Sequence, residues 1–147
     1  MFNGRNQQKK RKFHAMSRVR EKWAELKRFS EEERKQILNR CTLSFHIDAT
    51  GTGWEYIHFE LDQRTVVSLR VSYIGPGVES FINELNCMKE EDCREIVFCD
   101  EPGEYILTFA RKNDILYIEL PTMKKGVFQE YSSFLSSVNR EMKEKNL

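Results

Sequence analysis

The sequence predicts an α+β fold: a six-stranded antiparallel sheet, in the order β-β-β-α-β-β-β-α, with helices packed on it and a basic helical N-terminal arm ahead of it. Three observations predict this. From Cys41 onward apolar residues recur at every second position, whereas before it they recur at helical spacing. The period-two runs are joined by short polar or glycine-containing links, which suit antiparallel hairpins. One amphipathic helical stretch follows the third run and another follows the sixth.

Residues 1–40 form the arm. Residues 1–16, MFNGRNQQKKRKFHAM, are polar and basic, contain no acid, and are expected to be disordered alone. They read either as part of the native chain or as a translated leader ahead of Met16. Residues 17–29 read as a helix capped by Ser17, with Val19, Trp23 and Leu26 on one face. SEEERKQILNR starts a second helix. Ser30 and Glu33 make a capping-box pattern, Glu31 and Glu32 suit the positive helix end, and Ile37 and Leu38 are its apolar pair.

Residues 41–147 form the α+β domain. In CTLSFHIDA, Leu43, Phe45 and Ile47 face one way and Ser44, His46 and Asp48 the other. TGTG is a turn, and WEYIHFELD carries Ile57, Phe59 and Leu61 on one face. Asp62–Gln63–Arg64 is a short polar link into TVVSLRVSYI, where Val67, Leu69, Val71 and Tyr73 alternate with polar residues. GPGVESFINELNCMKEED is a helix with Pro76 in its first turn and an apolar stripe of Val78, Phe81, Ile82, Leu85 and Met88. CREIVFCD and GEYILTFARK are the fourth and fifth strands. Asn113–Asp114 tolerate positive φ and make a tight hairpin into ILYIELP, which Pro121 stops. VFQEYSSFLSSVNREMKEKNL is the closing helix, with Val127, Tyr131, Phe134, Leu135 and Val138 on one face.

Composition narrows the function classes. Hydrophobic residues at 39% and charged residues at 32% suit a globular protein with a polar surface. No apolar run approaches the roughly 18 residues of a membrane span, and KKRK is not followed by the apolar stretch of a secretory signal, so a cytoplasmic protein is expected. The cysteines, Cys41, Cys87, Cys93 and Cys99, form no C-x-x-C pair and read as free thiols. The net charge of +1 hides a split: residues 1–40 carry 13 Lys/Arg and 5 Asp/Glu, or +8, and residues 41–147 carry 11 and 18, or −7. Such a split speaks to partners and not to fold.

Four sets of residues are candidate sites. Glu101–Pro102–Gly103–Glu104 fits a type II turn, which by itself explains the proline and glycine and sets Asp100, Glu101 and Glu104 at a sheet end. These acids read as a plain turn or as a docking surface; catalysis would need a cleft that raises one pKa. His46, His58, Asp48 and Glu60 share a polar face if the first hairpin pairs in suitable register, and could then bind a divalent metal or be plain surface. The basic start, with Lys9, Lys10, Arg11 and Lys12, could neutralise phosphates, with Phe13 and His14 stacking, or be a solvated tail. Trp23, Trp54, Tyr56 and Tyr117 are aromatics of the kind that anchor interfaces, or are covered by the last helix or the arm. No Walker loop, dinucleotide fingerprint, H-E-x-x-H or nucleophile elbow occurs.

VSYIGPGVESFINEL, at a strand-to-helix junction, and IVFCDEPGEYILTFARKNDILYIEL resemble segments of a group of small uncharacterised bacterial proteins. In that group a similar Asp/Glu-Pro-Gly-Glu-Tyr turn links two strands of an antiparallel sheet. In architecture and size the chain is similar to polymorphic-toxin immunity proteins, which are compact α+β inhibitors with acidic surfaces. The resemblance covers roughly residues 41–140 and implies no catalytic residues. The chain departs from the pattern after the sixth strand, where PTMKKG replaces a long acidic-aromatic segment.

The expected function is therefore a non-enzymatic protein-binding module, an immunity-like inhibitor or adaptor whose acidic body docks on a basic protein. Asp100, Glu101 and Glu104 would meet that partner, with Trp54 and Tyr56 as anchors; no cofactor and no metal is expected. The alternative is a nucleic-acid-associated regulator acting through Lys9, Lys10, Arg11 and Lys12.

Overall fold

A computed structural model describes residues 4–49, 54–72, 78–100, 103–121, 123 and 126–145. Helix α1 spans Gly4–Lys27 and α2 Glu31–Leu38; strands β1 (Leu43–Ala49), β2 (Trp54–Leu61) and β3 (Arg64–Ser72) follow. Then come α3 (Val78–Asn86), β4 (Cys93–Asp100), β5 (Gly103–Lys112), β6 (Ile115–Glu119), β7 (Val127–Glu130) and α4 (Tyr131–Glu144). The class is α+β with antiparallel pairing, but the expected single six-stranded sheet is two sheets. One has the order β1-β2-β3, the other β4-β5-β6-β7.

The extra strand was read as the first turn of the closing helix. Val127 falls at helical spacing from Tyr131 and Phe134, yet Val127–Glu130 pairs with β6, Val127 opposite Ile118 and Glu130 opposite Ile115. Helix α4 starts one residue later because Asp114 captures its first donors. Tyr131 donates its N–H to the Asp114 carbonyl at 2.7 Å, and Ser132 donates its N–H to Asp114 Oδ1 at 3.1 Å. A carboxylate at a helix N-terminus satisfies amides that have no partner within the helix.

The hairpins follow local chemistry. Asp62 and Gln63 have φ of 50° and 70° and close a two-residue turn in which Leu61 faces Arg64. Asn113 has φ 53° in the Lys112–Ile115 hairpin. In the hairpin joining β4 to β5, Asp100 faces Gly103 and Cys99 faces Glu104. The register thus sets the turn one residue earlier than Glu101–Glu104; Glu101 and Pro102 themselves lie outside the described residues, as do Tyr73 and Pro76.

One apolar core lies between the inner faces of both sheets and helices α3 and α4. Its centre is Phe81 of α3, whose ring centroid stands 5.4 Å from Phe45 and 6.3 Å from Phe59 in the first sheet. It stands 6.3 Å from Phe98 and 5.7 Å from Phe109 in the second. Burying a side chain of this size stabilises by about 1.5–3 kcal/mol. One helix residue therefore ties together two sheets that share no hydrogen-bonded ladder among the described residues.

Helix α1 lies on the outer face of the second sheet. It begins at Gly4, so residues 4–16 of the stretch expected to be disordered are helical in backbone, and Ser17 sits inside the helix and not at its cap. Trp23 packs on Tyr117 and Phe128 with ring centroids 6.4 and 5.8 Å apart, beside buried Val19, Cys93 and Ala110. Arg18 makes a two-pronged bridge to Glu119, both distances 3.0 Å. For α2 the N-cap half of the capping-box pattern is present: Ser30 Oγ accepts the Glu33 N–H at 3.2 Å, while Glu33 Oε1 accepts from the Ser30 hydroxyl at 3.0 Å and not from its backbone N–H.

Strand β1 is an edge, and α4 lies along it. Gln129 acts there as a substitute strand. Its Oε1 accepts the Leu43 N–H at 3.1 Å and its Nε2 donates to the Cys41 carbonyl at 2.9 Å. Further along, Glu141 Oε1 accepts the Ile47 N–H at 3.0 Å. Side chains from β7 and α4 thus occupy backbone groups that would otherwise invite another strand.

Candidate functional site

The outward face of the first sheet gathers several polar and ionisable side chains. Register puts Ser44 opposite Glu60, His46 opposite His58 and Asp48 opposite Tyr56. On the other side Tyr56 faces Arg70 and His58 faces Ser68. The two histidines therefore share one face, as suitable register required. They do not share one site. His58 Nε2 lies 2.9 Å from Asp48 Oδ2 and its Nδ1 2.8 Å from Ser68 Oγ. His46 turns to other carboxylates, 3.4 Å from Glu60 and 3.6 Å from Glu141 of α4. Among the described residues no group of three His, Cys, Asp or Glu side chains is arranged to hold a metal ion.

Ser68, His58 and Asp48 make a serine–histidine–carboxylate relay that sequence spacing did not reveal, because the three lie on three strands. A hydrolytic relay needs a walled cleft and donors aimed at a developing oxyanion. This one lies on an open sheet, and the Asp48 side chain is 64% exposed. Water screens such a carboxylate. The relay's evident work is to fix His58 upright. The Tyr56 ring then lies parallel to the imidazole, 7° between planes and 6.5 Å between centroids. Tyr56 is 38% exposed, one of the largest apolar side chains on the surface.

The other sequence candidates fall as follows. Trp54 opens β2 opposite Ser72, Asp100 ends β4, and Glu104 lies in β5; the side chains of all three are outside the described residues, and so is Glu101 altogether. Lys9, Lys10, Arg11 and Lys12 lie in α1, again with side chains outside the described residues. Tyr117 is not an exposed anchor. It is buried under Trp23, and its hydroxyl donates to Glu119 Oε1 at 2.9 Å. Burial, reinforced by that carboxylate, pushes the phenol well above its ordinary pKa. Burial likewise raises the Cys41 thiol, opposite to what a nucleophilic thiol needs. Cys87 is exposed and Cys93 buried beneath α1.

Sequence reasoning also missed Gln129, Glu141 and Gly126. No local feature marks Gln129, which stands between Phe128 and Glu130. Nothing local marks Glu141, whose partner backbone is 94 residues away. No helix among the described residues is long and apolar enough to cross a membrane. No protein family, curated protein or solved structure matches this chain.

Proposed function

We propose that this is a non-enzymatic protein-binding module, an immunity-like inhibitor working in the cytoplasm, whose partner is a basic protein. The docking surface is the open face of the first sheet. The observation that carries the reading is that this face pairs a half-exposed aromatic anchor, Tyr56, with a pre-set carboxylate rim of Asp48 and Glu60. Aromatic anchors surrounded by polar rims are the usual anatomy of protein interfaces. The imidazole of His58 lies beside and parallel to the Tyr56 ring, and such preorganisation would reduce the side-chain entropy lost on docking. Complementary charge speeds encounter and makes it salt-sensitive. Asp100, Glu101 and Glu104, at the β4–β5 hairpin of the second sheet, are a separate acidic contact in this proposal, and Trp54, which opens β2, a further aromatic one.

The test is capture from the native host's lysate by the full-length chain, followed by affinity measurement on the captured protein. The expected partner is basic and released by salt. Asp48→Lys with Glu60→Lys, and separately Tyr56→Ala, weaken it at least tenfold. Triple reversal at Asp100, Glu101 and Glu104 tests the turn independently. A partner whose affinity is indifferent to all three variants refutes the surface.

A second reading has one observation of its own. Helix α1 has no acid in its first turn and carries Lys9, Lys10, Arg11 and Lys12 in its N-terminal half. A preformed basic helix suits phosphate binding. Retention of nucleic acid at low salt, lost on Lys9–Lys12 neutralisation, would favour that reading.

A further inference from the structure

Tyr56 and His58 stand two residues apart on β2, and their rings are parallel within 7° with centroids 6.5 Å apart. The way those rings point follows from the bonds on His58. Ser68 meets Nδ1 from β3 at 2.8 Å, and Asp48 meets Nε2 from β1 at 2.9 Å. These two strands flank β2, so the plane of the imidazole contains the cross-strand direction. Strand side chains rise roughly perpendicular to the sheet, so the plane contains that direction too, and the face of the ring looks along β2 toward Tyr56. Two residues along an antiparallel strand rise about 6.8 Å. The centroid separation nearly equals that rise, so the two rings face one another with little sideways offset.

Two parallel ring faces at this spacing bound a slot for one flat group. A group centred between them would stand about 3.3 Å from each, half the 6.5 Å separation and close to the roughly 3.5 Å of ordinary carbon contact. Neutral imidazole meets both bonds on His58, with Nε2–H donating to Asp48 and Nδ1 accepting the Ser68 hydroxyl, so the ring offers a π face without a charge. Asp48 lies opposite Tyr56 in register, on the β1 side of the slot. Its side chain is 64% exposed, and a carboxylate that holds one imidazole N–H keeps further acceptor positions. Glu60, two residues beyond His58 on β2, adds a second, partly exposed carboxylate. Arg70, across from Tyr56 on β3, has a partner of its own.

A guanidinium is flat, cationic and rich in N–H donors. Arginine stacks on aromatic faces and forks onto carboxylates, whereas the compact ammonium of lysine gains nothing from a second parallel face. A nucleobase is flat as well, but it brings a phosphate toward Asp48 and Glu60, where like charges repel. We infer that Tyr56 and His58 sandwich one arginine side chain of the basic partner, with Asp48 accepting its N–H groups. The inference rests on the docking face proposed above and names the residue that this face takes.

Two short peptides of equal length and charge test it, one alternating glycine with arginine and the other glycine with lysine. Each is titrated into the full-length protein at low salt and about pH 8, where imidazole is ordinarily neutral, and followed by NMR of the Tyr56 and His58 ring protons. The arginine peptide is expected to bind about fivefold tighter, with its side-chain protons moving upfield as the ring faces enclose them. Tyr56→Leu and Asp48→Asn each remove that preference, and Tyr56→Phe keeps it; circular dichroism shows that all three variants are folded. Equal affinity for the two peptides, falling together in Asp48→Lys with Glu60→Lys, overturns the arginine slot and leaves the docking face standing. A preference that survives Tyr56→Leu places the arginine elsewhere and overturns the inference, as does an arginine peptide that does not bind. Guanosine monophosphate perturbing the same ring protons with higher affinity than the arginine peptide overturns it in favour of a nucleobase.

Discussion

Gly126 faces the ring of Tyr117 at a distance that no side chain fits. A Cβ built there would stand 2.5 Å from Tyr117 Cζ and 2.6 Å from both Cε2 and the hydroxyl oxygen. The ring cannot simply swing away. It is 2% exposed, wedged 5.2 Å from the Phe128 ring and 6.4 Å from that of Trp23, with its hydroxyl held by Glu119. Gly126→Ala therefore forces overpacking, which costs about 1–3 kcal/mol. It also strains the Tyr117–Glu119 hydrogen bond, adding about 1 kcal/mol. The expected loss is about 2–4 kcal/mol, a fall in Tm of roughly 4–16 °C for a chain of this size. Thermal and urea unfolding followed by circular dichroism measure it, and Trp23 fluorescence shows whether α1 is displaced first. Tyr117→Leu, which removes the ring atoms that clash, should recover most of the loss in the double variant relative to Tyr117→Leu alone. Gly126→Ala within 0.5 kcal/mol of wild type would refute the placement of the ring, and with it the seat for α1.

Three further perturbations follow from the same geometry. Gln129→Ala leaves the Leu43 N–H and Cys41 carbonyl unpaired and should cost about 2–5 kcal/mol, with faster amide exchange at Leu43; unchanged exchange there would show that β1 does not depend on this side chain. Gln63→Gly relieves a φ of 70° in the Asp62–Gln63 turn and should stabilise by about 0.5–1 kcal/mol, read as a rise in urea midpoint. The Lys89 backbone N–H, at 2.8 Å, and then Arg94 hold the Asp92 carboxyl below its ordinary range. A depressed folded pKa gives stability that is present above the unfolded value, near pH 4, and lost as pH falls through the folded one. Asp92→Asn should therefore flatten the stability profile below about pH 4 and leave its shape near pH 7 unchanged.

The strands legible in the sequence are those with one wet face. Leu43, Phe45 and Ile47 alternate with Ser44, His46 and Asp48 because the first set faces the core and the second is half-exposed or exposed. The second sheet is buried on both sides, so Thr108 and Ala110 are as hidden as Leu107 and Phe109, and alternation there carries less information. β7 was unreadable for a related reason. Four residues that lead directly into a helix have no turn to mark the boundary, and what makes them a strand lies in β6 and Asp114. The histidine pair was legible as a consequence of register. Its separation into two carboxylate-bound halves was not, because Glu141 arrives from a helix far along the chain.

The charge split also changes meaning once α1 has a place. Read along the chain, +8 belongs to an arm and −7 to a body, and the two look like separate binding devices. In the fold, the latch between Arg18 and Glu119 spends one charge of each sign on holding the arm to the second sheet. The arm's docked half therefore offsets acidity on that side. On the first sheet Asp48 is exposed and Glu60 partly exposed, with His58 and His46 beside them. Exposed charges more than about 10 Å apart are largely screened at ordinary salt, so each face acts on its own neighbourhood and not through the chain's net +1. The docking proposed above therefore rests on the local carboxylates of the open first sheet, and not on the overall charge.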